Sequence, residues 1–454
     1  MGLENHIEMR MRGILNNPIL SLMHEIKLGT ILKQSHFKKR STGAGVYGVL
    51  LHLVYMLLMN KRQSAFIKQS AHAYGKDTYY RFLGSTRYNW RKLLLLSTQA
   101  LLKKIQPLQK HADPSLLILD DTVEIKRGKK IEAGSKSLWS NKEGRKVKGI
   151  NIVSLNWTDT YTTFQVDFAL ATNRTRLIAH ENFAKKLHHR SNAYARRVET
   201  TLGKNQLAMQ MLKRALEAGI DAEYLLIDSW YAKPSFIQEA RAEGIDVIAR
   251  IANNNTLWRF EGKAHTLDRL YATLAPIKVA KRGTYGEIRF TYFGTTVHHA
   301  TLGRVKLVFL HTGNTLVVLL STDCSLDAKA IIDLYKKRWN IEQGYKDLRA
   351  YFGLGKEEHR HYEALIARIT LSMFAYNLVA YLNRIQHEPQ TLGELFRELE
   401  CELEALVISM QLFLQILTQT AQIMEKVKGG NEIRMLIAVL GAYVEKEVVG
   451  MCES

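Results

Sequence analysis

The chain has 454 residues, of which 46% are hydrophobic and 24% are charged. This balance excludes a disordered or fibrous protein, and the length allows about two to four domains with a large buried core. Lysine and arginine number 64 against 43 acidic residues, a net charge of +21. Such an excess predicts a polyanionic partner, most commonly nucleic acid.

The cysteines and the apolar runs exclude further classes of protein. Cys324, Cys401 and Cys452 are far apart and form no CxxC pair, which argues against a disulfide framework and against a zinc site. Residues 46–59 and 369–382 are apolar but too short to cross a bilayer, so both are predicted to be buried helices. The N-terminus shows no signal-peptide layout. We therefore expect a cytoplasmic protein without membrane contact.

The first 110 residues predict helices. Within them, residues 61–94 predict a helix, a turn at Tyr74 and Gly75, and a short second helix that Asp77 could cap. This arrangement resembles a helix-turn-helix unit, and a plain helical bundle is the alternative. The second helix and its exit carry basic and aromatic residues suited to DNA: Lys76, Tyr79, Tyr80, Arg81, Arg87 and Arg91.

At residue 116 the pattern changes to a continuous apolar run, LLILDDTVEI, which predicts a central strand covered on both faces. The run ends in Asp120 and Asp121. Carboxylates at the end of a buried strand are costly unless a charged or polar group meets them. Either aspartate fits a metal or hydrogen-bonded site, and a simple strand-end cap by Asp120 is the other interpretation.

A basic segment follows at residues 126–148, with nine lysines and arginines that include Lys129 and Lys130. We predict a hairpin or loop that leaves the acidic strand end. Beside a DNA-cutting site it would clamp phosphates, whereas charge balance is the alternative. Residues 149–157 and 161–171 predict two antiparallel strands.

A second acid-tipped strand is predicted from the run EYLLIDSWY, in which Asp228 stands where the apolar stretch stops. A helix at residues 204–218 precedes it; a helix beginning at Pro234 and a strand at Asp246–Ile251 follow. Residues 252–321 are rich in strand and turn residues and predict an all-β insertion. Beyond residue 352 the pattern returns to helices, predicted at 362–382, 392–416 and 435–448.

One helix is predicted over residues 325–352. Tyr335, Arg338, Glu342 and Arg349 are spaced by three, four and seven residues, which places them on one helical face, and Lys346 joins them. An apolar stripe lies beside this face: Leu334, Ile341, Tyr345 and Leu348. Alone, Arg338 and Glu342 would form an ordinary surface pair at i,i+4.

Three carboxylates thus stand at structural transitions: Asp120 or Asp121, then Asp228, then Glu342. Carboxylates that converge from two strand ends and a covering helix can hold two magnesium ions with open positions for water and phosphate.

The order strand-Asp, strand-Asp, β-rich insertion, helix-Glu resembles the bacterial insertion-sequence transposases of the DDE type with the YREK signature. Tyr335, Arg338 and Glu342 match that signature at its spacing, and Arg349 stands where the family has lysine. The resemblance implies an α/β fold with an RNase H-like mixed-sheet core, interrupted by an all-β insertion and flanked by helical N-terminal and C-terminal regions.

The resemblance also implies the roles of the site residues. Asp121 is taken as the first acid because it precedes Thr122, and with Asp228 and Glu342 it would bind two Mg²⁺ ions, for which Mn²⁺ would substitute. Cationic and phenolic side chains would contact DNA: Tyr335, Arg338, Lys346, Arg349, Lys129 and Lys130. A flipped base would stack on an aromatic side chain of the insertion, for which core packing is the favoured alternative role: Trp258, Phe260, Tyr292 or Phe293.

The function implied is cut-and-paste transposition. A homodimer would bind the terminal inverted repeats, cleave the strands through a hairpin intermediate and join the released 3′-hydroxyl to target DNA. The alternatives are an RNase H-like nuclease without strand transfer and a non-catalytic DNA-binding derivative. The predicted parts are a DNA-binding region (1–110), a core in two segments (111–251 and 323–360), the insertion (252–322) and a helical C-terminal region (361–454).

Overall fold

The computed structural model describes residues 17–38, 45–69, 74–109, 114–128, 131–140, 143–172, 187–285, 288–313, 315–356, 359–386 and 390–404. The chain forms two compact units. The first comprises Met1–Lys104, Arg190–Ala193 and Asp347–Ser454; the second comprises Ile105–His189 and Tyr194–Lys346. The N-terminal and C-terminal helical regions therefore belong to one unit. The five-part division of the chain remains a prediction.

The helices of the described residues are, in chain order, α1 (Pro18–Glu25), α2 (Leu28–Gln34), α3 (Val46–Leu58), α4 (Gln63–Gln69), α5 (Lys76–Leu83), α6 (Trp90–Ile105), α7 (Asn192–Glu199), α8 (Lys204–Glu217), α9 (Pro234–Ala242), α10 (Leu267–Leu274), α11 (Ala328–Lys336), α12 (Trp339–Ala350) and α13 (Tyr362–Ile385). Residues 392–404 are also helical. The strands are β1 (Leu116–Ile125), β2 (Ser135–Ser140), β3 (Arg145–Thr158), β4 (Thr163–Ala171), β5 (Tyr224–Ile227), β6 (Asp246–Ile251), β7 (Trp258–Phe260), β8 (Lys263–His265), β9 (Lys281–Tyr285), β10 (Ile288–His299), β11 (Gly303–Thr312) and β12 (Thr315–Ser321).

The first unit is built around α13, which packs against α1, α3 and α5. Apolar residues occur on every side of α13, as expected for a helix surrounded by protein. The helix is longer than the predicted apolar run, and by length and composition it would reach across a membrane. However, the whole of its apolar window is buried inside the unit, so it serves as the core helix.

The predicted helix-turn-helix corresponds to α4 and α5, and the capping residue of α5 is Gly75 rather than Asp77. Tyr79 is not available to DNA because its side chain is fully buried and its hydroxyl lies 3.0 Å from Nδ1 of His52. Its neighbour Tyr80 is 42% exposed. The face of α5 that was predicted to contact DNA therefore contributes partly to the core.

The second unit contains one twelve-stranded mixed sheet with helices packed on it. Its central part has the order β4–β3–β1–β5–β6, in which β4, β3 and β1 are antiparallel and β1, β5 and β6 are parallel. The four leucine and isoleucine residues that begin β1 are at most 1% exposed, as expected for a strand covered on both faces. This mixed α/β architecture is consistent with the fold of a DDE nuclease.

The insertion continues the same sheet. Strand β12 pairs with β6, and β11, β10, β7 and β8 follow in that order. The segment also contains α10, whose apolar side (Leu267, Leu270 and Leu274) is buried. The prediction of an all-β insertion is therefore wrong in this respect, because a helix lies between its strands.

Two further local predictions need correction. The basic segment contains a hairpin, one of the two predicted forms, because β2 pairs antiparallel with the beginning of β3, which starts at Arg145 rather than at the predicted residue 149. The single helix predicted over residues 325–352 is two helices, α11 and α12, separated at Lys337 and Arg338. The break consists of tight i→i+3 hydrogen bonds, including one from the Arg338 amide to the Tyr335 carbonyl (3.0 Å).

Candidate active site

Strand pairing brings two of the acids together. β1 and β5 are parallel neighbours, and their last paired residues are Leu119 and Ile227. Asp120 and Asp228 are the next residues on the two strands, so they occupy the same register. Because side chains in register on adjacent strands point to the same face, these two carboxylates lie on the same face of the sheet, at the edge where β5 ends. Asp120 was predicted to end its strand, but β1 continues to Ile125 and only its pairing with β5 stops at Leu119.

The third acid reaches this edge from α12. Arg338 lies between α11 and α12, and its Nη1 donates to Oδ2 of Asp120 (2.8 Å). Its Nη2 donates to Oε1 of Glu342 (2.6 Å), which is the predicted i,i+4 pair. One guanidinium therefore joins a strand carboxylate to a helix carboxylate, and the fork geometry of arginine allows each acid its own nitrogen.

Tyr335, on the last turn of α11, completes the group. The Arg338 guanidinium carbon lies 5.9 Å from the centroid of the Tyr335 ring. Burial raises the pKa of the Tyr335 phenol to about 12; the charge of Arg338 opposes this rise, and the negative charge of Asp228 adds to it. The phenol is therefore protonated at neutral pH and lies close enough to Asp228 to feel its charge.

Asp120 is the most perturbed acid of the group. Burial raises the pKa of its carboxyl to about 7, and the charges of Asp228 and Asp121 add to the rise. Arg338 and the hydrogen bond from the Asp121 amide (2.8 Å) favour the ionised form and limit the shift. A carboxylate with a strongly raised pKa beside other acids is typical of a functional site.

Asp121 points away from this group. Its Oδ2 accepts from Nζ of Lys204 (2.6 Å), and its Oδ1 accepts from the hydroxyl of Tyr231 (2.9 Å). Consecutive side chains of a strand alternate between the two faces, so Asp120 and Asp121 cannot both face Arg338. The carboxylate that shares Arg338 with Glu342 therefore belongs to Asp120, whereas Asp121, the predicted first acid, pairs with Lys204 and Tyr231.

The loop after β5 is held by Asp228 itself. Its Oδ1 accepts from the backbone amides of Trp230 (3.0 Å) and Tyr231 (3.3 Å), an Asx turn that fixes the carboxylate at the strand end. Trp230 is 46% exposed, and the Nζ atoms of Lys204 and Lys233 lie 4.7 and 5.4 Å from its ring centroid.

The sequence interpretation missed the three residues around this loop, Trp230, Tyr231 and Lys204. The available signal was the aromatic pair that directly follows the second acid. Lys204 had no comparable signal, because only the tertiary fold brings the N-terminus of α8 to β1.

The other predicted DNA-contacting residues have diverse positions. Nζ of Lys346 lies 5.3 Å from the ring centroid of Trp339, which is 47% exposed. Arg349 lies on α12 but belongs to the first unit. Lys129 and Lys130 lie outside the described residues. Of the four candidate platforms for a flipped base, Trp258, Tyr292 and Phe293 are buried and Phe260 is half-buried, so they pack in the protein.

The donor set suits a hard divalent cation, because Asp120, Asp228 and Glu342 supply only carboxylate oxygens. Within the part of the chain that the structure describes, no three acids, histidines or cysteines are already arranged around a point where an ion would sit. Two of the three acids are instead held by Arg338. The residues therefore fit a divalent ion in chemical type, and Arg338 pairs with two of them.

The comparison with protein families identifies the superfamily of the chain. A family model described as DDE superfamily endonuclease matches residues 36–269, slightly more than half of the chain. The chain belongs to the DDE superfamily endonucleases. The match includes β1 with Asp120 and β5 with Asp228 directly after it, whereas α11 and α12 lie beyond it. No curated protein matches the sequence.

Membership of the DDE superfamily endonucleases suggests a nuclease or transposase that acts on DNA. Enzymes of this superfamily typically use divalent metals, in keeping with the all-carboxylate donor set. The family match does not reach Tyr335, Arg338 or Glu342. The roles of these three residues therefore rest on the geometry around Asp120.

Proposed function

We propose that this protein is a DNA transposase that uses divalent metal ions to cleave DNA and to transfer a strand. The observation that carries the proposal is the approach of three carboxylates, those of Asp120 in β1, Asp228 after β5 and Glu342 on α12, of which Arg338 joins the first and the third. Membership of the DDE superfamily endonucleases supports it. The strand order β4–β3–β1–β5–β6 supports an RNase H-like core.

Asp120, Asp228 and Glu342 are the residues that would hold the metal, as two Mg²⁺ ions for which Mn²⁺ substitutes. Bound there, the ions would activate an attacking water or hydroxyl and stabilise the leaving oxygen. Asp120 replaces Asp121 in this set because of its register with Asp228. Lys204 and Tyr231 keep Asp121 in place on the other face, where it supports the strand end.

Arg338 and Tyr335 would act on the DNA. The two terminal nitrogens of the Arg338 guanidinium, which bind two acids here, can instead bind one phosphate in a bidentate manner. The phenol of Tyr335 stays protonated near neutral pH and can donate to a phosphate oxygen. Lys346, Arg349, Lys129 and Lys130 remain proposed backbone contacts, which would neutralise phosphates and position the strand.

Strand transfer, the hairpin intermediate, binding to terminal inverted repeats and action as a homodimer belong to the same proposal. They rest on the resemblance of the Tyr335, Arg338 and Glu342 spacing to insertion-sequence transposases. A nuclease with the same three acids would cut DNA without joining it.

The test uses the full chain, Mg²⁺ and duplexes that carry the DNA flanking the gene, with one substrate intact and one already cut at the end. We expect the wild type to nick the first and to join the second to a plasmid. Asp120→Asn, Asp228→Asn and Glu342→Gln should each lower both rates by about 10³-fold or more, because each removes a metal-binding charge.

Asp333→Asn is the matched control, since Asp333 is an acid on α11 that pairs only with Lys329 and Lys336 among the described residues. It should retain the wild-type rates. Asp121→Asn decides between the two aspartates: if it abolishes nicking while Asp120→Asn does not, the first acid is Asp121. Nicking without any joined product would replace the transposase with a nuclease. Wild-type nicking by Asp228→Asn would refute the site.

A further inference from the structure

The pairing of the two strands that carry the acids ends directly before the acids themselves. The last pair between β1 and β5 is Leu119 with Ile227, and the residues that follow are Asp120 and Asp228. After Ile227 the chain leaves the sheet in a turn, whereas β1 continues. The backbone ladder therefore does not fix the spacing of the two carboxylates, although a metal site requires ligands at a fixed spacing.

Tyr231 links the two segments beyond the last pair of the ladder. Its side chain is fully buried, and its hydroxyl donates to Oδ1 of Asp121 (2.9 Å). Its backbone amide donates to Oδ1 of Asp228 (3.3 Å). Tyr231 therefore binds the second acid through its backbone and the neighbour of Asp120 through its side chain.

The carboxylate of Asp121 is itself held in place. Its Oδ2 accepts from Nζ of Lys204 (2.6 Å), and its backbone amide donates to Oδ1 of Asp120 (2.8 Å). The hydrogen bonds thus form a continuous series from Asp228 through Tyr231 and Asp121 to Asp120. This series runs around the edge of the sheet, because Asp120 and Asp121 lie on opposite faces of β1.

We propose that Tyr231 is a positioning residue that fixes the spacing of the metal-binding carboxylates of Asp120 and Asp228. The inference rests on the proposed function, because it gives this hydroxyl a role in binding a divalent ion that it does not touch. Among the described residues, Asp228 accepts hydrogen bonds through Oδ1 alone, which leaves Oδ2 to the ion. Groups that orient metal ligands commonly change metal affinity by about 10-fold to 100-fold. A hydroxyl that only stabilised the fold would leave that affinity unchanged.

The experiment titrates the full chain with Mn²⁺ in the absence of DNA and measures the free ion by electron paramagnetic resonance. Tyr231→Phe removes only the hydroxyl and should weaken Mn²⁺ binding about tenfold or more. Tyr224→Phe is the matched control, since the Tyr224 hydroxyl donates to Oδ2 of Asp323 (2.9 Å) at the opposite end of β5 from Asp228. Both variants lose a bond from a hydroxyl to a carboxylate and should unfold at lower urea concentration. Tyr224→Phe should nevertheless bind Mn²⁺ within about twofold of the wild type.

Asp121→Ala tests the same link from its other end. It removes the acceptor and should also weaken Mn²⁺ binding, and adding Tyr231→Phe to it should change the affinity by less than about twofold, because the hydroxyl has already lost its partner. The proposal is overturned if Tyr231→Phe, folded by circular dichroism, binds Mn²⁺ as the wild type does. It is also overturned if Tyr224→Phe weakens binding equally, or if the Asp121→Ala and Tyr231→Phe effects add in full.

Asp228→Asn separates this inference from the proposed function. If Asp228→Asn abolishes Mn²⁺ binding while Tyr231→Phe retains the wild-type affinity, the carboxylate site is supported and only the positioning role fails. If the wild type binds no Mn²⁺, or if Asp228→Asn binds it as the wild type does, the carboxylate site and the positioning role fail together.

Discussion

Arg338 carries one positive charge between two carboxylates, those of Asp120 and Glu342. Side-chain exposures of 17%, 16% and 31% keep water from screening the cluster fully. The protonation state of the Asp120 carboxyl in this cluster is therefore linked to folding. Burial raises the pKa of Asp120 to about 7, far above that of an aspartate in an unfolded chain.

We predict that the folded wild type becomes less stable as pH rises, and that Asp120→Asn removes this loss of stability. The raised pKa means that the folded state holds a proton which the unfolded state releases near pH 4, so folding is favoured at low pH by this group. That advantage is lost as pH rises through about 4 to about 7, at up to about 1.4 kcal/mol per pH unit, and is absent above about 7. In chelator, the unfolding midpoint of Asp120→Asn relative to wild type should increase from pH 5 to pH 8.

Asp221→Asn is the control for this measurement, because Asp221 is an exposed aspartate of the same unit. It measures how the loss of an exposed carboxylate of this unit changes the unfolding midpoint at each pH. A flat difference for Asp120→Asn would show that the Asp120 carboxyl titrates at its ordinary value and that the cluster does not perturb it.

Single residues of the site were predictable where a local pattern marked them. Asp228 stands where an apolar run stops, and Arg338 and Glu342 have helical spacing. The choice between Asp120 and Asp121 was not predictable, because it depends on the pairing of Leu119 with Ile227, residues 108 positions apart in the chain. The residues that adjoin the two aspartates in the sequence do not reveal which face of β1 each side chain will occupy beside β5, because β5 lies so far along the chain.

At the scale of elements, β1 depends on a close approach of backbone at Gly149. This glycine pairs with Ile125 of β1 and with Ser135 of β2. A Cβ at this position would lie 2.2 Å from the carbonyl oxygen of Glu124, and a backbone atom cannot move aside as a flexible side chain can.

We predict that Gly149→Ala lowers the free energy of unfolding by about 1–3 kcal/mol, because the added methyl group separates β3 from β1. Urea denaturation of the full chain measures the change. Gly203→Ala is the control: its Cβ would meet only the Gln206 side chain at 3.7 Å, and the cost should stay below about 1 kcal/mol. Equal effects of the two substitutions would contradict the close β1–β3 approach.

Elements with a complete local signal were predicted well. Strand β6 has the predicted bounds Asp246–Ile251, and α8 differs from the prediction by one residue at its end. The break between α11 and α12 was missed because neither glycine nor proline marks it. It follows instead from tight turns that direct Arg338 towards β1, and α10 was missed because residues 252–321 are dominated by strand-forming residues.

At the scale of the whole molecule, the sequence predicted a mixed α/β protein but not the extent of its sheet. Strand β6 of the predicted core pairs with β12 of the predicted insertion, and the paired residues are about 70 positions apart in the chain. Such long-range pairing leaves no local pattern. The grouping of both chain ends into one helical unit was likewise absent from the sequence, since it depends on contacts of α13 with α1, α3 and α5.

The net charge of +21 leads to the last prediction, which concerns DNA affinity rather than chemistry. Binding that releases counterions from about six to ten phosphates should weaken about 10³-fold or more between roughly 50 and 200 mM salt. Fluorescence anisotropy with a duplex in chelator measures this slope. The double variant Asp228→Asn, Glu342→Gln is the control: it removes two negative charges beside the DNA, so its affinity should equal or exceed that of wild type with a similar slope. An affinity that does not respond to salt would mean that the basic surface does not meet DNA, whatever the carboxylates do.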